Sequence, residues 1–479
     1  MRTIVMHGGD LVDGRGGSPR HGVDIVVAGE SVREIIPSRP AEAYGTVDEI
    51  VDCAGKLVIP GLINNHTHGT AYGPLFPSGH VGLPREQVLA NLDRHLLAGT
   101  TTVLCVDGFV TAQDLASTDE AHPVNVRLAS CNTPACLHAA TVADGGGLTE
   151  ANRRFTARHA VDAGAVALGE IGAGHTLGGG GASYLHIPAE IARRTGVTVT
   201  PRQANDLKIA ILGRHIAVSA FDRDAVEQAL AAAELTGRLS VEEAREIVSA
   251  VVLPAFDIAL HGLAEAADQA RELAVPVLVH NAAASMTQVA AIARTDVTMI
   301  AGHSNHSSFE LREALEHAER LKEAGVVVDV STLDTFGARR LTTGPELLYA
   351  MFAAGLVDTI STDYAGGHHD PILLAIDRSV RAGVVSLPAA VAMATANVAD
   401  AIPGVAPRRG RVVPGALADL VVTDPAELPA VSTVLLGGEI VVRDGRRDAG
   451  QGNRGAGRGN RDPGQGNRDA GRGNTGRPW

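Results

Sequence analysis

Apolar positions along the chain fall into three textures. Residues 1–57 carry short apolar runs broken by turn residues, as in "TIVMHGGDLVDG" and "GVDIVVAGESVREIIP". The Gly-Gly-Asp and Ala-Gly-Glu breaks are hairpin punctuation, so this segment predicts strands. The same texture returns at 401–445, in "GALADLVVTD" and "TVLLGGEIVVRDGR". Two strand-rich ends around a long middle predict one small β-sandwich domain built from both termini. From 58 to 400 apolar runs alternate instead with helical patterns, as βαβ units do. Eight runs end in "LINNHTHG", "TTVLCVDG", "NVRLASCN", "AVALGEIG", "VPVLVHNA", "VTMIAGHSNH", "VVVDVST" and "DTISTDYAG". Helical stretches such as "REQVLANLDRHLLAG" and "ELREALEHAERLKEAG" lie between several of them, each stopped by glycine.

Eight β-then-α units are the count of a TIM barrel, so the predicted class is α/β with a (β/α)8 barrel. The first strand is read as Leu57 to Ile63, a continuous apolar segment interrupted by Pro60 and Gly61. Between the fourth and fifth strands the regularity breaks. A helical insertion over about 182–262 adds roughly 80–90 residues to an ordinary connection. Its place among the loops that shape a barrel's active site predicts that it covers the pocket. From Arg446 to Trp479 the repeats "GQGNR" and "AGRGN" carry no hydrophobic pattern, which predicts a disordered Gly/Arg/Asn-rich tail outside the mechanism.

Composition narrows the partners. With 45% hydrophobic and 20% charged residues among 479, the chain reads as a soluble globular protein. A formal charge of −13 argues against nucleic acid or an anionic membrane, and 3% aromatics leave few stacking platforms for bases. No apolar stretch reads as membrane-spanning and the amino terminus lacks a signal-peptide core, so the cytoplasm is the expected compartment. Cys53, Cys105, Cys131 and Cys136 form no CxxC pair, which suits reduced thiols. The expected partner is a small-molecule substrate, with a homo-oligomer left open.

Barrel enzymes place reactive groups at the carboxyl ends of their strands. Those ends carry His66 and His68, Glu170, His280, His303 and Asp363. In an extended chain residues two apart point the same way, so His66 and His68 can aim at one point. One histidine after a strand is ordinarily a loop residue and one aspartate an N-cap. Four imidazoles and two carboxylates at one end of one barrel point instead to metal. Six ligands over-fill a single open zinc site but divide well around two ions roughly 3.5–4 Å apart. His66, His68 and Asp363 are assigned to the first ion, His280 and His303 to the second, and the Glu170 carboxylate to the bridge. Zinc is favoured, with iron, manganese or cobalt suited to the same donors.

Across residues 1–444 the chain resembles the amidohydrolase superfamily of metal-dependent barrel hydrolases. The resemblance is carried by "GKLVIPGLINNHTHG", the histidines after strands five and six, the aspartate after strand eight, and "RGRVVPGALADLVV". It implies that Asp363 shuttles protons and that a bridge stands after strand four, commonly a carboxylated lysine. The only lysines are Lys56, Lys208 and Lys322, none at that position, so Glu170 resembles the glutamate-bridged, enamidase-like branch. Asp107 or Cys105, after strand two, is a rival metal contact by similarity to D-aminoacylases. The implied reaction is hydrolysis of an amide or cyclic amide C–N bond by a metal-activated hydroxide. Asp363 is the catalytic base, and His306 a donor to the oxyanion or a support for a ligand. Deamination of a heterocycle and deacylation of N-acyl amino acids are the alternatives, with a non-catalytic barrel or a lyase or isomerase behind them. Ala283 stands where many deaminases carry an acid/base glutamate, which lowers the deaminase reading. Arg202 is a candidate clamp for a substrate carboxylate, and "GHTLGGGG" a loop that folds against substrate.

Overall fold

The computed structural model describes residues 1–293, 296–333, 335–336, 341, 344–364 and 369–448. Eight parallel strands follow one another around a barrel. They are β1 (Leu62–Thr67), β2 (Thr100–Gly108), β3 (Asn125–Ser130) and β4 (Ala167–Ile171), then β5 (Val277–His280), β6 (Met299–Gly302), β7 (Val327–Ser331) and β8 (Thr359–Ser361). Alternation along a strand sorts their side chains. In β2, Leu104 and Val106 join Ile63, Ala129, Leu278 and Ile300 in the barrel interior, where Val398 and Ile402 pack against them. Val103 and Cys105 belong instead to the cluster that includes Leu92 and Leu96 of the surrounding helices. The ring closes just past β8, where Asp363 N donates to His66 O at 3.0 Å and His68 N to Tyr364 O at 2.7 Å. Closure therefore sets the first and last candidate ligands side by side.

The expected first strand divides. Leu57–Pro60 pairs antiparallel with Leu420–Thr423 and parallel with Asp10–Leu11, so it belongs to the small domain, and the barrel begins at Leu62 rather than 58. Gly61 is the corner between the two. Its N–H reaches Asp419 O at 2.8 Å, and a Cβ there would stand 2.2 Å from Thr101 Oγ1. Gly61→Ala is expected to cost about 1–3 kcal/mol through this overpacking. Urea denaturation should show it as a lowered midpoint with an unchanged slope.

Both termini contribute to one nine-stranded, mainly antiparallel sheet. Val58, Leu420 and Val422 enter its own core with Ile4, Met6 and Ile25, while Leu57, Ile59 and Val421 pack on the barrel side. A one-residue slip would exchange the two sets, so this double burial fixes the register. Arg446–Arg447, placed by the sequence at the start of the tail, pairs with Val442–Arg443. The rest of the expected tail, from 449, lies outside the described residues.

Between β4 and β5 the helices Ile187–Thr195, Pro201–Leu212 and Arg223–Ala232 build a separate core with Leu207, Ile211, Val226 and Leu230. The apolar run that continues from there does not form one helix. Ser240 starts a new one, Val241–Leu273, with a capping box to Glu243. No boundary falls at 262, because this helix runs through it. Ile247, Val248 and Val252 serve the insertion's core, and Leu263, Ala266 and Ala270 the barrel's. With 33 residues and an 18-residue stretch of mean hydropathy 1.9, it is long and apolar enough to cross a membrane, contrary to expectation. Its buried positions instead join two interiors.

Candidate metal centre

The six predicted ligands converge. His66 Nε2 lies 3.7 Å from Glu170 Oε2 and 3.5 Å from Asp363 Oδ1. His68 Nε2 lies 3.6 and 3.4 Å from the same two oxygens. The other oxygen of Glu170, Oε1, faces His280 Nδ1 at 2.8 Å and His303 Nε2 at 3.0 Å. One carboxylate thus divides its oxygens between two pairs of imidazoles. Within each group, His66–His68–Glu170 and Glu170–His280–His303, the candidate ligand atoms lie within 4.8 Å of one another.

Local backbone and packing aim these groups. His303 and Asp363 both sit at positive φ, 36° and 50°, a conformation that costs about 1–3 kcal/mol for a side-chain-bearing residue and collects at functional sites. His303 is held there by its N–H on Asp329 Oδ2 at 3.2 Å. Gly302 leaves room for the His66 ring, since a Cβ there would come within 3.1 Å of His66 Nδ1. Asp107 fastens His68, accepting from its Nδ1 at 2.9 Å while also accepting from the N–H groups of Gly69 and Phe76. Such outer carboxylates set the orientation of an imidazole ligand.

That arrangement removes Asp107 and Cys105 as rival bridges. Both Asp107 oxygens are committed to these donors, and Cys105 Sγ donates to Oδ2 at 3.2 Å. Burial pushes the Cys105 thiol well above its ordinary pKa, as for a packed thiol. Asp329 was not foreseen. It is fully buried in β7 and accepts from Asn65, Thr359 and Ser361 as well as from His303 N. The signal was a single aspartate in the apolar run "VVVDVS".

The electrostatics favour a cation. Burial alone would raise Glu170, but the imidazoles of His66 and His280 overcome it and hold the carboxyl well below its usual range. Asp363 is lowered in the same way by His66, His68 and His303. Burial would lower His68, yet hydrogen bonds to Asp107, Asp363 and Glu170 hold its pKa well above the ordinary imidazole value. On the other side burial and the neighbouring His303 lower His280. Both ring nitrogens of His66 are buried without a hydrogen-bond partner, which native interiors rarely tolerate. Nitrogen and oxygen donors around an excess of anionic oxygen fit divalent ions such as zinc, iron, manganese or cobalt.

A testable consequence follows from His68. Asp107, Asp363 and Glu170 favour its protonated ring in the metal-free site, and coordination requires its neutral form. Metal uptake should therefore release about one proton from it, and metal affinity should fall as pH falls. Calorimetric titration in buffers of different ionisation enthalpy measures that release.

A cavity of about 390 Å³ opens onto His68, Glu170, His280, His303 and Asp363, and its wall includes Phe76, His80, His175, Tyr184 and Leu185. The glycine-rich loop after β4 lines it through Gly174, Gly180 and Gly181. Of the insertion, only its first turn reaches the cavity. His306 stands against the rings of His280 and His303, at 5.5 and 5.4 Å, with Nδ1 on Ser308 Oγ at 2.8 Å. It is absent from the cavity wall, a position that suits supporting a ligand and not donating to substrate. Arg202 is exposed on its helix and does not line the cavity.

Residues 57–445 match the amidohydrolase family, a span that takes in the whole barrel and all but the last of the returning strands of the small domain. The chain belongs to that family. This amidohydrolase is accordingly a hydrolase of carbon–nitrogen bonds. Its fold is shared with β-aspartyl dipeptidase from Fervidobacterium islandicum AW-1, at 15% identity over 94% of this chain and 99% of that one, TM-score 0.54. D-aminoacylase matches at 16% over 94% and 98%, TM-score 0.51. Dihydropyrimidinase from Brevibacillus agri NCHU1002 matches at 14% over 93% and 96%, TM-score 0.53. D-aminoacylase is described with a binuclear metal centre.

Proposed function

We propose that this amidohydrolase uses two divalent ions to hydrolyse an amide or cyclic amide bond of a small molecule. The observation that carries the reading is the division of the Glu170 carboxylate, Oε2 toward His66 and His68 and Oε1 toward His280 and His303. His66, His68 and Asp363 would hold one ion, His280 and His303 the other, with Glu170 between them. Bound there, divalent cations supply Lewis acidity, which makes water a nucleophile near neutral pH and polarises a carbonyl.

The chain's own groups do the rest. Asp363 Oδ1 lies within 3.5 Å of both imidazoles of the first pair and is held ionised, so it is ready to accept the proton of the attacking water. Passing that proton to the departing nitrogen completes the cleavage, since an amine leaves and an amide anion does not. Asp107 and Asp329 keep His68 and the His303 backbone in place while charge moves. Phe76, Leu185 and the glycine-rich loop narrow the approach of water from the mouth.

Metal analysis of purified protein should find about two equivalents per chain. A screen of cyclic amides, hydantoins, N-acyl amino acids and aminopurines then identifies the bond. Release of an amine with an acid supports the reading, and release of ammonia from an aminopurine replaces it with deamination.

A further inference from the structure

Beyond the metal ligands a second polar cluster lies at the outer end of the cavity. Three different connections supply it. His80 follows β1, Asp144 ends the helix Pro134–Ala143 after β3, His175 follows β4, and His186 opens the insertion. His80 Nδ1 lies 2.6 Å from Asp144 Oδ2, and His186 Nε2 lies 3.9 Å from the same oxygen. The His175 ring meets His186 edge-on at 5.5 Å. Phe76 links this cluster to the metal centre, with its ring 5.1 Å from His68 and 4.8 Å from His175. His175 is therefore one aromatic ring removed from the candidate ligands, and His80 and His175 both lie on the wall of the same cavity.

The cluster is fixed before any ligand arrives. Gly145 N donates to Ser78 O at 3.0 Å and Gly147 N to Gly79 O at 2.8 Å, lacing the His80 loop to the Asp144 loop. Its charge is also set. Burial pushes His175 down to about 3 and lowers His186, so both imidazoles are neutral at pH 7. Among the described residues no arginine or lysine lines the cavity. The described part of this end brings a carboxylate and no guanidinium or ammonium group, an unfavourable seat for a second carboxylate. A carboxylate on His80 Nδ1 favours the tautomer that turns the Nε2 lone pair, a hydrogen-bond acceptor, to the other side of the ring.

The surroundings are apolar. Val81, Val142 and Leu185 are three of the eight large hydrophobic side chains exposed among the described residues. Each lies within two positions of His80, Asp144 or His186 in the sequence. Leu185 lines the cavity itself, and an exposed apolar side chain at a mouth suits the apolar part of a ligand.

We propose that the His80–Asp144 cluster is a subsite for the non-reacting end of the substrate. It takes an uncharged N–H donor flanked by apolar carbon, as in a carboxamide or ureide, in preference to a carboxylate. This rests on the amide-hydrolase reading above and names the substrate class of the same cavity.

The test compares N-hexanoylglycinamide with N-hexanoylglycine, two ligands of one length that differ in the terminal group. Binding to the metal-loaded full chain is measured by calorimetry, and cleavage is followed separately. The glycinamide should bind about tenfold tighter or more, and His80→Phe should bring the ratio close to one. Asp144→Asn, which releases His80 without deleting it, should narrow the ratio as well, and it decides the matter should His80→Phe not fold. Equal or tighter binding of the acid overturns the subsite. So does an unchanged ratio in the folded variants, or no binding of either ligand at millimolar concentration. A preserved preference without cleavage counts against the hydrolytic reading alone, whereas cleavage without preference counts against the subsite alone.

Discussion

Glu170→Gln is expected to lower kcat/KM by about 10³-fold or more, some 4 kcal/mol of barrier, and to reduce bound metal to about one equivalent or less. Glutamine fills nearly the same volume, so packing around the barrel mouth is preserved. The chemistry is not. The wild-type carboxylate presents Oε2 to His66 and His68 and Oε1 to His280 and His303. An amide offers an oxygen to one side only and turns N–H donors to the other, where they oppose a cation. The negative charge that draws two cations into one buried site is lost at the same time. Metal content by plasma emission spectroscopy, read beside turnover, separates this from a simple loss of activity. Two equivalents retained with near-normal turnover would show that Glu170 does not join the two halves.

The ligand set was legible because barrel architecture ties chemistry to the ends of apolar runs. His66, His68, Glu170, His280, His303 and Asp363 each close such a run, and strand period alone brings them to one rim. Asp329 closes no run. It sits within β7, and its role depends on Asn65, Thr359 and the His303 backbone, partners that only tertiary structure brings together. Asp107 was visible, but its task was not. A carboxylate two residues from a cysteine reads as a metal contact until the His68 Nδ1 proton is placed on it. The Leu57–Ile63 run shows the converse limit. Two short strands of different sheets, each buried on both faces, give one unbroken apolar signal, and only the crowding of Gly61 by Thr101 marks the corner. The helix through residue 262 misled for a similar reason, since its apolar face serves two cores in succession.

Asp363→Asn tests the proton path and should keep both metal ions while lowering kcat about 10²- to 10⁴-fold, the range of a lost general acid–base group. Asparagine retains an oxygen toward His66 and His68 but neither accepts nor delivers a proton at working pH. Low kcat alone would also follow from a disturbed ligand, so the leaving group provides the discriminating readout. An alkyl amine cannot depart until its nitrogen is protonated, whereas a nitroaniline needs far less help. Should Asp363 carry the proton to that nitrogen, the loss measured on an alkyl amide will exceed that on the matched nitroanilide by about tenfold or more. An equal loss on both substrates would leave Asp363 a ligand only and return the proton transfer to another group. The left-handed backbone at Asp363, pinned by its N–H on His66 O at 3.0 Å, favours the first outcome. It places one carboxylate oxygen beside the candidate ligands and leaves the residue on the wall of the cavity, where a departing nitrogen can reach it.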